Sequence, residues 1–303
     1  MILQDCKCKH TAKMNNVLLK ILYDIVYLTK NANKRWSLAQ HPQIQGSFVS
    51  IDAKTGAITA LVGGYDYYIS KFNRSTQAKR QAGLALLPFI YSAALNNGYT
   101  LATIIPKKKL PNSKKLTANK TVKAITLRDS FSIAHPAYPA VITSSIGIDK
   151  VIKYLTLFGF SKATMPKNIT LAAGSLQVTP LELISAYAPF ANGGYKVKPF
   201  FIMRIEKYVD GRPKIIYVAK QNNICKSCPQ NIQDNTPIET TAKPSVKTDN
   251  AYLVSELLLD NINKLKSNNK KLSIRSDIRG QGGMSNDKFD AWYIGFTPEL
   301  VSG

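Results

Sequence analysis

A chain of 303 residues with a hydrophobic share of 45% is long and apolar enough to bury a sizeable core, which excludes a disordered chain. Its charge is lopsided: 41 Lys+Arg against 18 Asp+Glu give +23 at neutral pH, a balance that favours polyanionic surroundings. An anionic membrane surface, cell-wall polymers carrying carboxylates and phosphates, and nucleic acid all fit that charge, as does a lysine-rich coding bias. The lysines are scattered among Asn, as in Lys107-Lys108-Lys109, and are not interleaved with aromatics, so nucleic-acid binding is not expected.

The first residues, Met1 to Lys13, are polar and do not read as a signal peptide. Met14 to Thr29 is apolar-rich, but Lys20 and Asp24 interrupt it, and it falls short of the roughly 20 residues that a spanning helix needs. An amphipathic helix is the reading for this stretch, giving an N-terminal helical segment over 1–40. From Gln45 the pattern sharpens. Gly46 to Ile51 reads as a strand, Asp52-Ala-Lys-Thr-Gly56 as a turn and Ala57 to Val62 as the return strand of an antiparallel hairpin. Leu84 to Asn97 reads as an apolar helix with Pro88 in its first turns, where proline is tolerated.

Pro106 to Val122 is lysine-rich and reads as an exposed connection. Leu127 to Ala134, Gly147 to Phe158 and Thr179 to Ala191 carry apolar residues at helical spacing, and Asn192-Gly193-Gly194 stops the last of them. Phe200 to Val209 and Lys214 to Val218, joined by a turn at Asp210-Gly211, form a second hairpin. Residues 220–247 read as a polar insertion, Ala251 to Ile262 as a helix, and Asp290 to Pro298 as a strand with its turn.

Four cysteines are too few for a disulfide scaffold. Cys225 and Cys228 have zinc-ribbon spacing and, with Cys6, Cys8 and His10, would supply enough ligands for a tetrahedral ion. Reduced thiols or a local disulfide is the preferred reading, so no metal and no cofactor is expected.

Four segments resemble the transpeptidase domain of class A penicillin-binding proteins: Val49 to Gln81, Gly147 to Phe160, Leu171 to Phe200 and Asn286 to Gly303. The combination Thr179-Pro180-Leu181-Glu182-Leu183 followed by Phe190-Ala191-Asn192-Gly193-Gly194 is the most specific part. The resemblance spans roughly 41–303 and implies an α+β fold of the serine β-lactamase and D,D-peptidase type, an antiparallel sheet flanked by helices with a helical subdomain. It also implies a further strand and helix beyond Ser302, so the sheet is expected to lack a member and the domain to be marginally stable. Cys225 and Cys228 lie where some members also carry such a pair.

Members of that family cross-link peptidoglycan stem peptides with three clusters, a serine with a lysine three residues on, Ser-x-Asn and Lys-Thr-Gly. In the first, helical spacing lets the amine take the hydroxyl proton. Here Leu84 stands at the position of the serine and Leu87 at that of the lysine, within Gln81-Ala82-Gly83-Leu84-Ala85-Leu86-Leu87-Pro88-Phe89. The second cluster aligns with Ala134-His135-Pro136 or with His135-Pro136-Ala137, and neither alignment offers a serine or an asparagine. The third reads Gln281-Gly282-Gly283. Loss of a nucleophile removes on the order of a million-fold in turnover, so no catalytic residue is assigned and the chain is expected to be a pseudoenzyme, either a scaffold or binding remnant or a decaying fragment. The leucines are expected to extend the buried face of their helix, turning a polar cleft floor into core, and His135 reads as a loop residue.

Two other readings stand beside that one. The first is an enzyme using substituted hydroxyls, with Ser92, Ser130 and Ser132 as candidates, none with a lysine three residues later in a matching context. The other is a basic protein that binds polyanions. The partners implied by the resemblance are peptidoglycan or cell-wall assembly proteins. Family members also carry a glycosyltransferase domain and a membrane anchor and work at the periplasmic face of the inner membrane. No signal or anchor is read in this chain, so taken alone it is expected to stay in the cytoplasm.

Overall fold

The computed structural model describes residues 27–30, 33–39, 42, 44–106, 123–209, 211–219, 244–268, 275–285 and 289–303. The chain divides into two units, Met1–Gln45 and Gly46–Gly303. In the first, β1 (Tyr27–Lys30) pairs antiparallel with β2 (Trp36–Ala39), and Lys30 Nζ lies 5.1 Å from the ring centroid of Trp36. Most of the helix expected over Met14 to Thr29 falls outside the described residues. Its last residues are strand, because Tyr27-Leu28-Thr29 finds a ladder partner in Ser37-Leu38-Ala39 that an isolated helix end does not have.

The second unit opens with β3 (Phe48–Asp52) and β4 (Ile58–Val62), the hairpin read from the sequence. Its turn is fixed by Asp52, whose Oδ1 accepts from Lys54 N at 2.9 Å and Thr55 N at 2.7 Å, and by Gly56 at φ +82°. A short helix α1 (Arg74–Gln77) and strand β5 (Arg80–Gln81) lead to a 3-10 turn, Gly83–Leu86, that runs into α2 (Leu87–Asn96). Then come β6 (Ile104–Ile105), β7 (Ile125–Thr126), α3 (Leu127–Ile133), α4 (Ala137–Ile146) and α5 (Ile148–Leu155). After β8 (Gln177–Val178), which pairs with β5, come α6 (Pro180–Asn192), β9 (Arg204–Val209), β10 (Arg212–Val218) and α7 (Thr248–Asn268). The chain closes with β11 (Arg279–Met284), β12 (Ala291–Phe296) and β13 (Leu300–Ser302).

The main sheet is antiparallel with order β11-β12-β13-β3-β4. It has no gap: Val301 pairs with Ile51 on one side and Phe296 on the other, so the three residues of β13 fill the slot between the first and last parts of the domain. The expected shortfall in the sheet is therefore not a break in its ladder. α6 packs on β3 and β13, α7 on β11, and α2 on α7 and α4. This layer encloses one core containing Val49, Ile51, Leu87, Phe89, Tyr187, Leu258 and Ile294, all at most 1% exposed.

α6 shows why its stretch is so legible. Thr179 caps it, its Oγ1 accepting from Glu182 N at 3.2 Å while Glu182 Oε2 accepts from Thr179 N at 2.8 Å, a reciprocal capping box with Pro180 at the first helical position. At its other end Gly193 sits at φ +84° and Gly194 N donates to Pro189 O at 2.7 Å. Asn192 Nδ2 donates to Ala53 O at 2.7 Å, tying this end to the β3–β4 turn. The polar insertion of residues 220–247 lies largely outside the described residues, as do residues 107–122 and all four cysteines.

Candidate functional site

The start of α2 and the strand β11 meet at backbone contact. A Cβ added at Gly283 would lie 2.5 Å from Ala85 N and 2.8 Å from Ala82 O, and one at Gly83, which has φ +54°, would lie 2.3 Å from Met284 O. Only glycine allows the strand and the 3-10 turn to approach this closely. The structure thus brings the first and third predicted clusters, around Leu84 and around Gly283, into one place.

Four further bonds hold the turn. Ala82 N donates to Leu176 O and Gly83 N to Gly174 O, each at 2.9 Å. Trp292 Nε1 on β12 donates to Gln81 O at 2.8 Å. The hydroxyl of Tyr187 on α6 donates to Ala85 O at 2.6 Å; burial pushes that phenol well above its ordinary pKa, so it stays a neutral donor. The turn is clamped by a loop, a strand and a helix, a support of the kind that positions a reacting group.

No reacting group stands there. Leu87 is 1% exposed and belongs to the core, as expected from the sequence, while Leu84 is only half-buried and packs against that core from its edge. Neither leucine has an atom that donates, accepts or attacks. Gln281 on β11 is buried, its Oε1 accepting from Asn261 Nδ2 on α7 at 2.6 Å and its Nε2 donating to Gly282 O at 2.8 Å. The strand register places Gln281 and Gly283 on the same side as Ile294 and Trp292, the side that faces the helices, and Gly282 on the opposite one with Tyr293. A neutral amide that spends its hydrogen bonds on α7 and on its own strand offers no cation to a substrate carboxylate.

The second predicted cluster lies between α3 and α4. Ala134 ends α3 in the left-handed conformation at φ +51°, Pro136 starts α4, and Ala137 is buried. His135 Nδ1 accepts from Ala137 N at 3.3 Å and its ring stands edge-on to Tyr138 at 6.2 Å, so it serves the turn. α3 packs on α7, which itself lies against β11, and α4 packs on α2, so this loop is tied to the elements around the other two clusters.

The candidate hydroxyls are occupied. Ser92, fully buried in α2, bonds Asn250 Oδ1 at 2.7 Å and the Tyr154 hydroxyl at 2.9 Å. Ser130 is buried between Leu127 O at 2.7 Å and the Tyr91 hydroxyl at 2.8 Å. Ser132, half-buried, is contacted by Lys264, whose Nζ donates to its Oγ; a cation donating to that oxygen does not withdraw its proton. Sequence reasoning missed α4, the Gln281–Asn261 bond and the clamps from Trp292 and Tyr187. Pro136 and Pro139 broke the helical pattern of α4, and the others join residues far apart in the chain with no local signal. Among the described residues no cluster of His, Cys, Asp and Glu is arranged to hold a metal, and no helix is long and apolar enough to cross a membrane.

The model of the penicillin binding protein transpeptidase domain matches residues 46–243. Penicillin-binding protein 1A of Neisseria lactamica is 34% identical over 287 residues, covering 91% of this chain and 34% of that protein. Penicillin-binding protein 1A of Vibrio cholerae is 33% identical over 296 residues, covering 88% of this chain and 35% of the relative. The chain thus spans about a third of the length of the curated relatives it matches. The crystal structure of penicillin-binding protein 1A from Haemophilus influenzae superposes with a TM-score of 0.75 at 29% identity, over 91% of this chain and 45% of that one. A continuous antiparallel sheet, a capped α6 and a clamped turn at α2 are the framework that goes with these likenesses, and the chain belongs to the penicillin-binding protein transpeptidase domain family.

Proposed function

We propose that this chain is a transpeptidase-type domain of peptidoglycan metabolism that performs no acyl transfer, and that it acts as a binding or scaffolding module. The observation that carries this reading is the apolar start of α2. Leu84 and Leu87 occupy the two positions where the family places its nucleophile and its base, on a turn held too tightly for another group to be moved in. Gln281 and the residues Ala134, His135, Pro136 and Ala137 supply neither the cation nor the relay that the remaining chemistry requires.

The occupied states of Ser92 and Ser130 argue against a substituted enzyme, since a hydroxyl buried in a structural network is not presented to a substrate. The partners that suit the reading are peptidoglycan and cell-wall assembly proteins. The test is intact-mass spectrometry of the folded protein after incubation with a reactive β-lactam. No covalent adduct is expected; a stoichiometric one would overturn the proposal and mapping would identify the acylated residue.

A further inference from the structure

The hairpin β9–β10 stands apart from the core. Every described residue from Phe201 to Val218 is exposed, although the stretch includes Phe201, Ile202, Met203, Ile205, Ile215, Ile216 and Tyr217. Its root is fixed: Ile58 N donates to Phe200 O at 2.9 Å, and Ala219 N donates to Met203 O at 2.8 Å. The hairpin is therefore held out from the domain by its own ladder.

Its two faces differ. The register sets Ile205, Lys207 and Val209 opposite Tyr217, Lys214 and Arg212 on one face. On the other, Glu206 pairs with Arg204 at 2.7 Å, so the acid of these two strands is neutralised there. The first face carries three cations and, among the described residues, no acid. Lys207 and Lys214 sit directly opposite each other, an arrangement that is unfavourable until an anion lies between or over them. Beside them Phe200, Phe201, Ile202, Ile205 and Tyr217 line an open apolar crevice of about 300 Å³.

From this juxtaposition we propose that the Lys207–Lys214 face of the β9–β10 hairpin docks on an anionic lipid bilayer, its cations on headgroup phosphates and its apolar root in the boundary with the acyl chains. Charge complementarity selects the anion, and the aliphatic part selects lipid over nucleic acid or a soluble acidic chain. Ile202 and Ile205 have no role against phosphates in water but gain by entering the headgroup–acyl boundary. Basic residues near an anionic surface contribute roughly fivefold each to partition.

The full chain is sedimented with vesicles of phosphatidylcholine alone or containing one-third phosphatidylglycerol. Binding is expected only to the anionic vesicles. The double variant Lys207→Glu/Lys214→Glu is expected to weaken it by about 25-fold or more, from the roughly fivefold per residue above. Ile202→Ser/Ile205→Ser is expected to weaken it with the charge intact. Lys150→Glu/Lys153→Glu, which makes the same charge change at exposed positions of α5, is expected to keep most of the binding. Both hairpin variants should retain the parent's far-UV spectrum and melt, since these side chains pack on no core. The proposal is overturned by equal binding to both vesicles, by no binding to either, by equal loss in the α5 variant, or by poly-glutamate capturing the chain while vesicles do not.

Discussion

The first turn of α2 and the β9–β10 hairpin are both rich in apolar residues and lie in opposite physical situations. From Ala82 to Ser92 every residue but Leu84 is buried, and backbone meets backbone at Gly83 and Gly283. From Phe201 to Val218 every described residue is exposed. In the first region a change of one atom must be absorbed by neighbours that have nowhere to go; in the second it meets solvent. In the packed region Leu87 adds to a close-packed core, and Leu84 lies against its edge.

The packed region is broken most severely by placing a charge in it. Leu87→Lys places an ammonium at a site that is 1% exposed, and neither of the other clusters supplies a counter-ion. A cost on the order of 5 kcal/mol is expected, from lost apolar burial together with an unpaired buried charge. Urea melts should show a much lower midpoint or no folded baseline, and Leu84→Ser/Leu87→Lys should remain unreactive towards β-lactams. A variant that folded as well as the parent and became acylated would show that the cleft had stayed open.

Alkaline pH probes the same region without mutation. Tyr154 is pushed up to about 12 by burial, only partly offset by its bond to Ser92; Tyr91 and Tyr187 are also raised by burial. In the unfolded chain these phenols titrate at their ordinary value of 10.0. Above that pH the unfolded state releases protons that the native state keeps, so stability is full below pH 10 and falls as pH rises through the folded values. Each group lowers it by about 1.4 kcal/mol per pH unit, so the three together remove about 4 kcal/mol near pH 11. A pH series of urea midpoints, flat from pH 8 to 10 and then falling, is expected; a flat profile to pH 11 would mean the hydroxyls reach water.

Gly283→Ala sharpens the comparison at the level of one methyl. The new Cβ would stand 2.5 Å from Ala85 N, against backbone that four hydrogen bonds hold in place, and about 2–3 kcal/mol of destabilisation is expected. The reading is a drop in urea midpoint at constant slope. Stability equal to the parent would show that β11 can slide.

What the sequence could reveal follows the same division. The β3–β4 hairpin and α6 were legible because their signals are local: Asp52 and Gly56 make one turn, and Thr179, Pro180 and Glu182 make one cap. The sequence positions of Leu84, Leu87, Gln281, Gly282 and Gly283 were read from flanking residues. Their contact was not, because it is made by backbone atoms some two hundred positions apart and leaves no periodic trace. α4 was missed because its buried residues surround it, giving little amphipathic contrast, and because Pro139 lies inside it. The leucine pair was read as one buried face; the 3-10 turn instead leaves Leu84 at the core's edge.

The hairpin supplies the smallest effect and the cleanest contrast. Ile216 is the residue at which the register shifts between Ile215 and Tyr217, and it is 63% exposed. A bulge residue is unpaired in the ladder, so its side chain supports neither cross-strand packing nor a core. Ile216→Ser should therefore change the unfolding free energy read from urea melts by no more than about 0.5 kcal/mol, the range for surface positions without special roles. A loss several times larger would place this side chain against apolar neighbours in solution. The two regions would then differ in degree of packing rather than in kind.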